Sequence, residues 1–258
     1  MNHKDEIPGL NFDSDYLESE IEGSDRIAFK IAEKYKRKFS LKYLYNRQND
    51  IILEFLKNQK VDQLLDLGCG MGNFLVKAHA AYPNVHGVDP AQKSLKIAKQ
   101  VLPNTDLRLG LGENLPFNDD EIDTVVMKGV VHHLKDPVEV FKEVFRCLKP
   151  SGILVIFEGN RSSIYRQIML GFADLLKYQH ESTLFEHRSP KVMKQMLAEA
   201  RLEPFYCRNI SGFFAPLALF GIGGARIWMY FDRIENLFQK ICPFLFNYYV
   251  LLSARKPE

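Results

Sequence analysis

The segment from residue 64 to residue 78 constrains the fold of this chain more than any other. A largely apolar run of strand length covers residues 64–67, three glycines alternate over residues 68–72, and a second apolar run begins at Phe74. This order predicts a buried strand, a tight turn and a helix. Glycine permits backbone angles that other residues avoid and lets a ligand approach the main chain. We therefore expect a ligand at the turn, facing unpaired N–H groups at the helix start.

The glycine spacing excludes two common phosphate-binding turns. A dinucleotide fingerprint, G-x-G-x-x-G, requires its third glycine where this chain has Asn73. A P-loop ends in Gly-Lys-Ser/Thr, which is absent here. The pattern present is acid-x-Gly-x-Gly-x-Gly, running from Asp66 to Gly72.

Strands and helices alternate on both sides of this turn. Strand-like apolar runs recur after it, and helical spacing separates them, including a helix that Pro137 opens. This rhythm predicts a parallel, doubly wound sheet with right-handed crossovers. Ligands of such sheets lie outside the carboxyl ends of the strands. The predicted strands are residues 64–67, 85–89, 107–109, 122–127, 153–157, 205–207 and 246–253, and further helices are predicted from Ser24, over 47–56 and over 191–202.

The glycine turn resembles motif I of the class I S-adenosylmethionine-dependent methyltransferases. Residues 130–137 and 148–152 closely resemble the motif IV to VI region of the small-molecule subgroup, which includes the ubiquinone and menaquinone biosynthesis methyltransferases. The resemblance covers about residues 62–157. It implies S-adenosylmethionine as cofactor and an α/β fold with a doubly wound, seven-stranded, Rossmann-like sheet carrying helical cap insertions. It also implies one domain over residues 1–258.

The resemblance implies most of the cofactor site. Gly68, Cys69 and Gly70 would form the cofactor turn, and Asp66 would hold the methionine end together with the backbone near Lys128. Asp66 would also fix the turn by accepting backbone N–H bonds. The Lys128 side chain would face either an anionic acceptor or solvent.

Asp89, followed by Pro90, stands where an acid takes both hydroxyls of a ribose. Its alternative role is to cap the next helix. Gly112 and Glu113 would lie along the adenine, although the family's acid two positions before Glu113 is replaced by Leu111. Glu113 either compensates for that loss or is a solvated loop charge.

Three residues near the strand ends are candidates for acid–base chemistry. Methyl transfer needs an aligned acceptor, and it needs a base when the acceptor starts as a hydroxyl or an acidic carbon. His132 or His133 would supply that base, because one of two adjacent residues must point into the cleft. Alternatively, one packs and the other caps a turn. Glu158 would partner a histidine or take the proton itself, or do neither.

Composition narrows the classes of partner. The 258 residues are 46% hydrophobic and 26% charged, which is typical of a globular protein. A net charge of +2 argues against nucleic acid as a main partner. The four cysteines lack metal-ligand spacing and no signal-peptide pattern precedes them, so we expect reduced thiols, no metal and a cytoplasmic location.

Three segments lie outside the predicted sheet. Residues 1–23 look like a loose acidic arm. Residues 160–188 and 211–243 are apolar insertions that we expect to cap the acceptor side. Residues 211–243 could form a buried helical hairpin, an apolar acceptor pocket or a membrane-surface patch, but their apolar run is too short to span a bilayer.

These patterns predict transfer of a methyl group from S-adenosylmethionine to a small-molecule or lipid-like acceptor, by O- or C-methylation. The protein would be cytoplasmic, with peripheral membrane contact as one option. Two other classes stay open: a non-catalytic cofactor-binding or scaffold protein, and an NAD-linked oxidoreductase, against which Asn73 argues.

Overall fold

The computed structural model describes residues 39–168, 188–220, 224–241 and 247–258. The predicted arm over residues 1–23, the helix expected from Ser24 and most of the insertion 160–188 lie outside these ranges. Of that insertion, residues 164–168 are helical.

A seven-stranded mixed sheet forms the centre of the fold, in the order β3-β2-β1-β4-β5-β7-β6. Strands β1 to β5 pair in parallel, and β7 is antiparallel to both of its neighbours, β5 and β6. The prediction of a doubly wound, seven-stranded sheet is confirmed. The strands are β1 Gln63–Leu67, β2 Asn84–Asp89, β3 Asp106–Leu109, β4 Ile122–Lys128, β5 Leu148–Gly159, β6 Glu203–Ile210 and β7 Tyr249–Arg255.

Besides the helical residues 164–168, seven helices have both bounds within the described part of the chain. The first lies before the sheet, three lie in the β1–β5 region, one lies between β5 and β6, and the last two lie between β6 and β7. They are α1 Phe39–Leu56, α2 Leu75–Ala78, α3 Gln92–Val101, α4 Pro137–Cys147, α5 Pro190–Glu199, α6 Ala215–Phe220 and α7 Ala225–Ile241.

Several predicted boundaries were wrong. Helix α1 already includes Phe39, the first described residue, eight positions before the predicted start at residue 47. Strand β5 begins at Leu148, five positions before the predicted start at residue 153. The added part of this strand is irregular, because Ser151 has a φ of +63° and the register against β4 shifts between Ile122 and Thr124.

Capping side chains account for two well-predicted helix starts. Asp136 Oδ1 accepts hydrogen bonds from the Val138 N–H at 3.0 Å and the Glu139 N–H at 3.4 Å, and a proline opens α4. At the start of α5, the Ser189 hydroxyl accepts from the Val192 N–H at 3.3 Å. These bonds satisfy N–H groups that a helix leaves unpaired in its first turn.

Apolar side chains pack into three clusters. One lies on the sheet face covered by α4 and α5, and includes Phe141 and Met193. A second lies on the opposite face and joins the C-terminal half of α1 to the sheet. The third joins the N-terminal half of α1 to the α6–α7 region around Trp228. Helix α1 therefore ties the insertion between β6 and β7 to the carboxyl ends of the strands.

Within the described ranges, none of the helices combines the length and apolar character needed to cross a membrane.

Candidate active site

The glycine turn after β1 is bonded mainly to itself and to β2. The N–H groups of Gly68 and Cys69 both donate to the Val88 carbonyl, at 2.8 and 3.1 Å, and the Gly70 N–H donates to Asp89 Oδ2 at 2.7 Å. These three N–H groups are therefore paired within the protein; the unpaired N–H groups were expected further along, at the start of the following helix. The cause of this pairing is the proximity of β1 and β2, which are paired in register up to Leu67.

The three glycines of the turn all have positive φ, which L-residues with side chains avoid. At Gly68 a Cβ atom would lie 2.4 Å from Val130 Cγ2, so the loop after β4 presses directly on the turn. At Gly70 a Cβ atom would meet nothing within 4 Å. The open side of the turn is therefore at Gly70.

Asp89 is buried at the carboxyl end of β2, next to this opening. Its Oδ1 accepts from the Ala91 N–H at 2.8 Å, across Pro90, while Oδ2 accepts from Gly70. Helix α3 begins after Ala91, which is its N-cap residue and makes no side-chain cap bond. Asp89 thus fixes the turn between β2 and α3 rather than capping α3.

Asp66 and Lys128 lie near each other at the ends of two adjacent strands. Burial raises the pKa of the Asp66 carboxyl to about 7, although the Lys128 ammonium acts in the opposite direction. Burial also lowers the pKa of Lys128 to about 8, with Asp66 opposing that shift. Lys128 is half-buried and donates to Asn49 Oδ1 at 2.5 Å. Of the two alternatives for Lys128, the solvent-facing one is therefore wrong.

Two residues of α1 complete this cluster and were missed from the sequence. The Tyr45 ring centroid lies 5.1 Å from Lys128 Nζ, and the Asn49 amide nitrogen donates to the Asn73 carbonyl at 2.9 Å. Asn49 is fully buried, although it is polar. The available signal was their spacing of four residues, which places both on one face of α1.

The segment predicted to lie along an adenine has a packing role of its own. Leu111, which replaces the family's acid, is buried. At Gly112 a Cβ atom would lie 2.9 Å from Val140 Cγ1 of α4, so a small residue is required here for close packing. Glu113 is partly buried, and burial raises its pKa. It is therefore not a fully solvated loop charge.

His132 and Glu158 form a hydrogen-bonded pair. His132 lies in the 3-10 turn Val131–His133 that follows β4, and its Nδ1 is 2.7 Å from Glu158 Oε1 near the end of β5. Glu158 is buried, and its Oε1 also accepts from the Gly159 N–H at 2.9 Å. The structure therefore brings together two of the three predicted catalytic residues.

His133 is placed differently from His132. Its side chain is exposed, and its ring packs against the His132 ring with centroids 4.1 Å apart. The structure thus distinguishes two residues that the sequence could not.

A buried arginine that sequence reasoning missed supports this turn. Arg188 donates from Nη1 to the Val131 carbonyl at 2.9 Å and from Nη2 to the Leu134 carbonyl at 3.3 Å. These two bonds bracket His132 in the sequence. In the sequence, Arg188 is recognisable only as an arginine just before the Ser189-Pro190 helix start. That position does not indicate which part of the protein its side chain contacts.

The apolar insertion 211–243 divides its aromatic residues among three environments. Trp228 is buried in the third cluster against α1, and Tyr230 is exposed. Phe213 stacks on Tyr165 with ring centroids 4.9 Å apart, and its carbonyl accepts from the Tyr165 hydroxyl at 2.6 Å. Phe213, Trp228 and Tyr230 therefore occupy three different environments.

Two aromatic residues border the strand ends: Tyr165, in the segment after β5, and Tyr248, just before β7. Gly159 pairs with Tyr249, and the Asn160 N–H donates to the Tyr248 carbonyl at 3.0 Å. The Tyr248 ring packs against Tyr165 and lies 5.4 Å from the Arg166 guanidinium carbon. An aromatic wall containing one buried cation therefore adjoins Glu158.

Among residues 39–168, 188–220, 224–241 and 247–258, no group of three histidine, cysteine or acidic side chains is arranged to hold a metal ion.

Comparison with known proteins shows what the central segment is similar to. Residues 65–156 match the sequence profile of a family described as "Methyltransferase domain". A demethylmenaquinone methyltransferase of Thermotoga maritima is 27% identical over 186 residues, which cover 63% of this chain and 81% of that relative.

Two solved structures share the fold. A SAM-dependent methyltransferase from Thermotoga maritima superposes with a TM-score of 0.64 at 19% identity, covering 90% of this chain and 99% of the other. A geranyl diphosphate C-methyltransferase from Streptomyces coelicolor, solved with S-adenosyl-L-homocysteine, superposes with a TM-score of 0.59 at 18% identity, covering 82% of this chain and 79% of the other. The chain spans less than half the length of the first curated relatives that it matches.

Proposed function

We propose that this chain transfers a methyl group from S-adenosylmethionine to a small-molecule acceptor, because residues 65–156 match a methyltransferase-domain profile and the chain is similar to a demethylmenaquinone methyltransferase. The observation that carries the proposal is the arrangement of two groups at the carboxyl ends of one sheet. The glycine turn with Asp89 ends β1 and β2, and the His132–Glu158 pair ends β4 and β5. The proposed cofactor site and the proposed acid–base pair thus lie at the same edge of the sheet.

The residues at the turn fit the cofactor. The open space beside Gly70 admits a ligand to the backbone. The Asp89 carboxylate next to it carries lone pairs beyond those used for Gly70 and Ala91, and these can accept ribose hydroxyls. Gly112 and Glu113 would border the adenine, and Cys69 and Pro90 would shape the turn. Asp66 would hold the methionine ammonium, a role in which Lys128 is its neighbour and competitor.

His132 is the proposed base. When bound, S-adenosylmethionine supplies a methyl carbon that is already electrophilic, so the protein must mainly align the acceptor and remove its proton. If Nδ1–H of His132 donates to Glu158, the neutral ring carries its lone pair on Nε2. Nε2 then accepts the proton of the acceptor hydroxyl or carbon, and the buried Glu158 carboxylate stabilises the resulting imidazolium.

The acceptor is proposed to be apolar over much of its surface. The wall formed by Tyr165, Phe213 and Tyr248 beside Glu158 supports this, because burying apolar area yields about 25 cal/mol per Å². The demethylmenaquinone methyltransferase similarity supports the same class. A quinone, a polyketide or a lipid-linked sugar would fit. Such an acceptor partitions into membranes, so the enzyme would meet it at a membrane surface.

Two observations favour a second candidate, a non-catalytic cofactor-binding protein. The Lys128 ammonium lies beside the carboxylate that would receive the methionine ammonium, and Leu111 stands in place of the expected acid. An NAD-linked oxidoreductase has no such support, and the methyltransferase profile speaks against it.

Domain organisation and location are part of the same proposal. A single domain is supported by the pairing of β7 with β5 and β6, which joins the C-terminal residues to the matched segment. A reducing, cytoplasmic compartment is supported by the free thiols of Cys69, Cys147 and Cys207 in the described part of the chain.

Methyl transfer from isotopically labelled S-adenosylmethionine to a metabolite extract tests the proposal. After separation of the extract into organic and aqueous fractions, the label should appear in the organic fraction with the wild-type protein. It should be strongly reduced with His132→Ala. Binding of cofactor without transfer to either fraction would favour the non-catalytic candidate, and label in the aqueous fraction alone would exclude an apolar acceptor.

A further inference from the structure

Helix α7 turns both of its acids towards the protein. Asp232 accepts from Arg47 Nε at 3.0 Å, and Glu235 accepts from Arg47 Nη1 and from the Phe214 N–H, the latter at 2.8 Å. Glu235 is buried. Since these are the only acids in α7, its outer face carries no carboxylate.

The outer face of α7 carries an apolar stripe. Its members follow one another at intervals of three, four, three and four residues, which places them along one line of a helix. Four of these side chains are between 45% and 64% exposed, although all of them are large and apolar. The stripe consists of Ile227, Tyr230, Ile234, Leu237 and Ile241.

A row of cations runs beside the stripe. Arg226, Arg233 and Lys240 are all exposed and are spaced seven residues apart, so they also share one line of α7. Seven residues at about 100° each nearly complete two turns, and the cation line lies next to the apolar line on the outer side. The outer face of α7 is therefore apolar and basic along its whole length.

We propose that the outer face of α7 binds the surface of an anionic phospholipid bilayer, with α7 parallel to the membrane plane. The apolar stripe enters the boundary between headgroups and acyl chains. The three cations extend to the lipid phosphates, as long basic side chains do at such boundaries. The inward orientation of Asp232 and Glu235 removes the repulsion that acids on this face would cause.

The charge pattern favours a membrane over a second copy of the chain. A two-fold contact between copies places the same surface patch on both sides. Two outer faces of α7 would then bring two rows of cations together without any acid to pair them, which is unfavourable. A bilayer containing anionic lipid offers both the apolar layer and the opposite charge.

Vesicle flotation tests this proposal without reference to methyl transfer. The purified full chain is mixed with vesicles of phosphatidylcholine, or of phosphatidylcholine with phosphatidylglycerol, at low and high salt. We expect flotation with the mixed vesicles only, weakened by salt. Arg226→Gln, Arg233→Gln and Lys240→Gln together should weaken binding roughly a hundredfold, since each cation near an anionic surface contributes about fivefold.

A matched pair of variants separates the α7 face from general surface hydrophobicity. Leu237→Glu should abolish flotation, whereas Val101→Glu, which places the same charge at an exposed apolar position at the end of α3, should not. Both variants should keep the wild-type far-ultraviolet circular dichroism. Absence of wild-type flotation, equal loss in both variants, or equal binding to neutral vesicles would overturn the proposal. So would self-association without vesicles that Leu237→Glu reverses, because the face would then be an interface between copies.

Discussion

His132 Nδ1 lies 2.7 Å from Glu158 Oε1, although the two residues are 26 positions apart, with His132 after β4 and Glu158 within β5. The parallel pairing of β4 with β5 brings them together, since both strands end at the same edge. A buried carboxylate thus contacts the His132 imidazole, and the exposed His133 packs its ring against that imidazole.

Substitution of the two histidines should give unequal results. His132→Ala should lower turnover about a hundredfold or more, because a positioned base contributes at least that much. His133→Ala, the matched control, should stay close to wild type. Steady-state kinetics together with cofactor affinity measure this, and the affinity should be unchanged in both. Equal turnover in the two variants would show that His132 is not the base and that the reaction depends on the proximity of acceptor and cofactor.

Glu158→Gln should lower turnover by about tenfold or more, through loss of a hydrogen bond to a charged group. The amide keeps the size of the side chain but no longer stabilises a protonated His132. In His132→Ala the same substitution should have little further effect, because Glu158 acts through the imidazole. A full additional loss in the double variant would show that Glu158 takes the proton itself.

Gly68→Ala should lower the free energy of unfolding by about 2–4 kcal/mol, combining a left-handed backbone with displacement of Val130. Gly70→Ala, the control, has the same kind of backbone but open space, so only about 1–2 kcal/mol should be lost. Urea unfolding measures both. Equal losses in the two variants would mean that the close contact between Gly68 and Val130 does not contribute to the free energy of unfolding.

Asp66 should make the protein less stable as the pH rises from about 4 to about 7. Burial raises its pKa to about 7 in the folded state, so the folded protein binds this proton more tightly than the unfolded chain does. Asp66→Asn, which cannot ionise, should therefore gain stability relative to wild type over this range. Urea unfolding at several pH values gives the difference.

Asp106→Asn serves as a control, because its effect on stability should change with pH in the opposite direction to that of Asp66→Asn. Hydrogen bonds from Arg108 and His86 help to hold the pKa of Asp106 below its usual value, so its stabilising effect is present above about pH 4 and is lost as the pH falls through the lowered pKa. Asp106→Asn should be less stable than wild type at neutral pH, with a difference that shrinks on acidification. A pH-independent difference for Asp66→Asn would contradict the buried ionisation described here.

The sheet could be predicted from the sequence because its signals are local. Apolar runs, Pro137 and the glycines each mark an element or its end, and the alternation of strands and helices implies the parallel order. The positions of the strand ends then predict which side chains lie at one edge of the sheet. For this reason Asp89 and Glu158 could be named as candidate site residues from the sequence.

The contacts of α1 with the site could not be predicted, because they depend on tertiary packing. Nothing near Asn49 in the sequence indicates that it meets Asn73 and Lys128, and the burial of Lys128 follows only from that packing. The same applies to Trp228, whose burial against α1 is a long-range contact. A run of aromatic residues indicates apolar burial but not which surface buries it.

The binding of S-adenosylhomocysteine, measured by isothermal titration calorimetry against wild type and Asp89→Ala, tests the central claim most directly. The wild-type protein should bind it and should not bind NAD, and Asp89→Ala should weaken binding by about 2–3 kcal/mol through loss of charge-assisted bonds to the ribose. Asp119→Ala, an exposed acid that pairs with Arg146, should bind as wild type does. Failure of the wild-type protein to bind S-adenosylhomocysteine, or unchanged affinity in a folded Asp89→Ala variant, would contradict the assignment of this turn as the cofactor site.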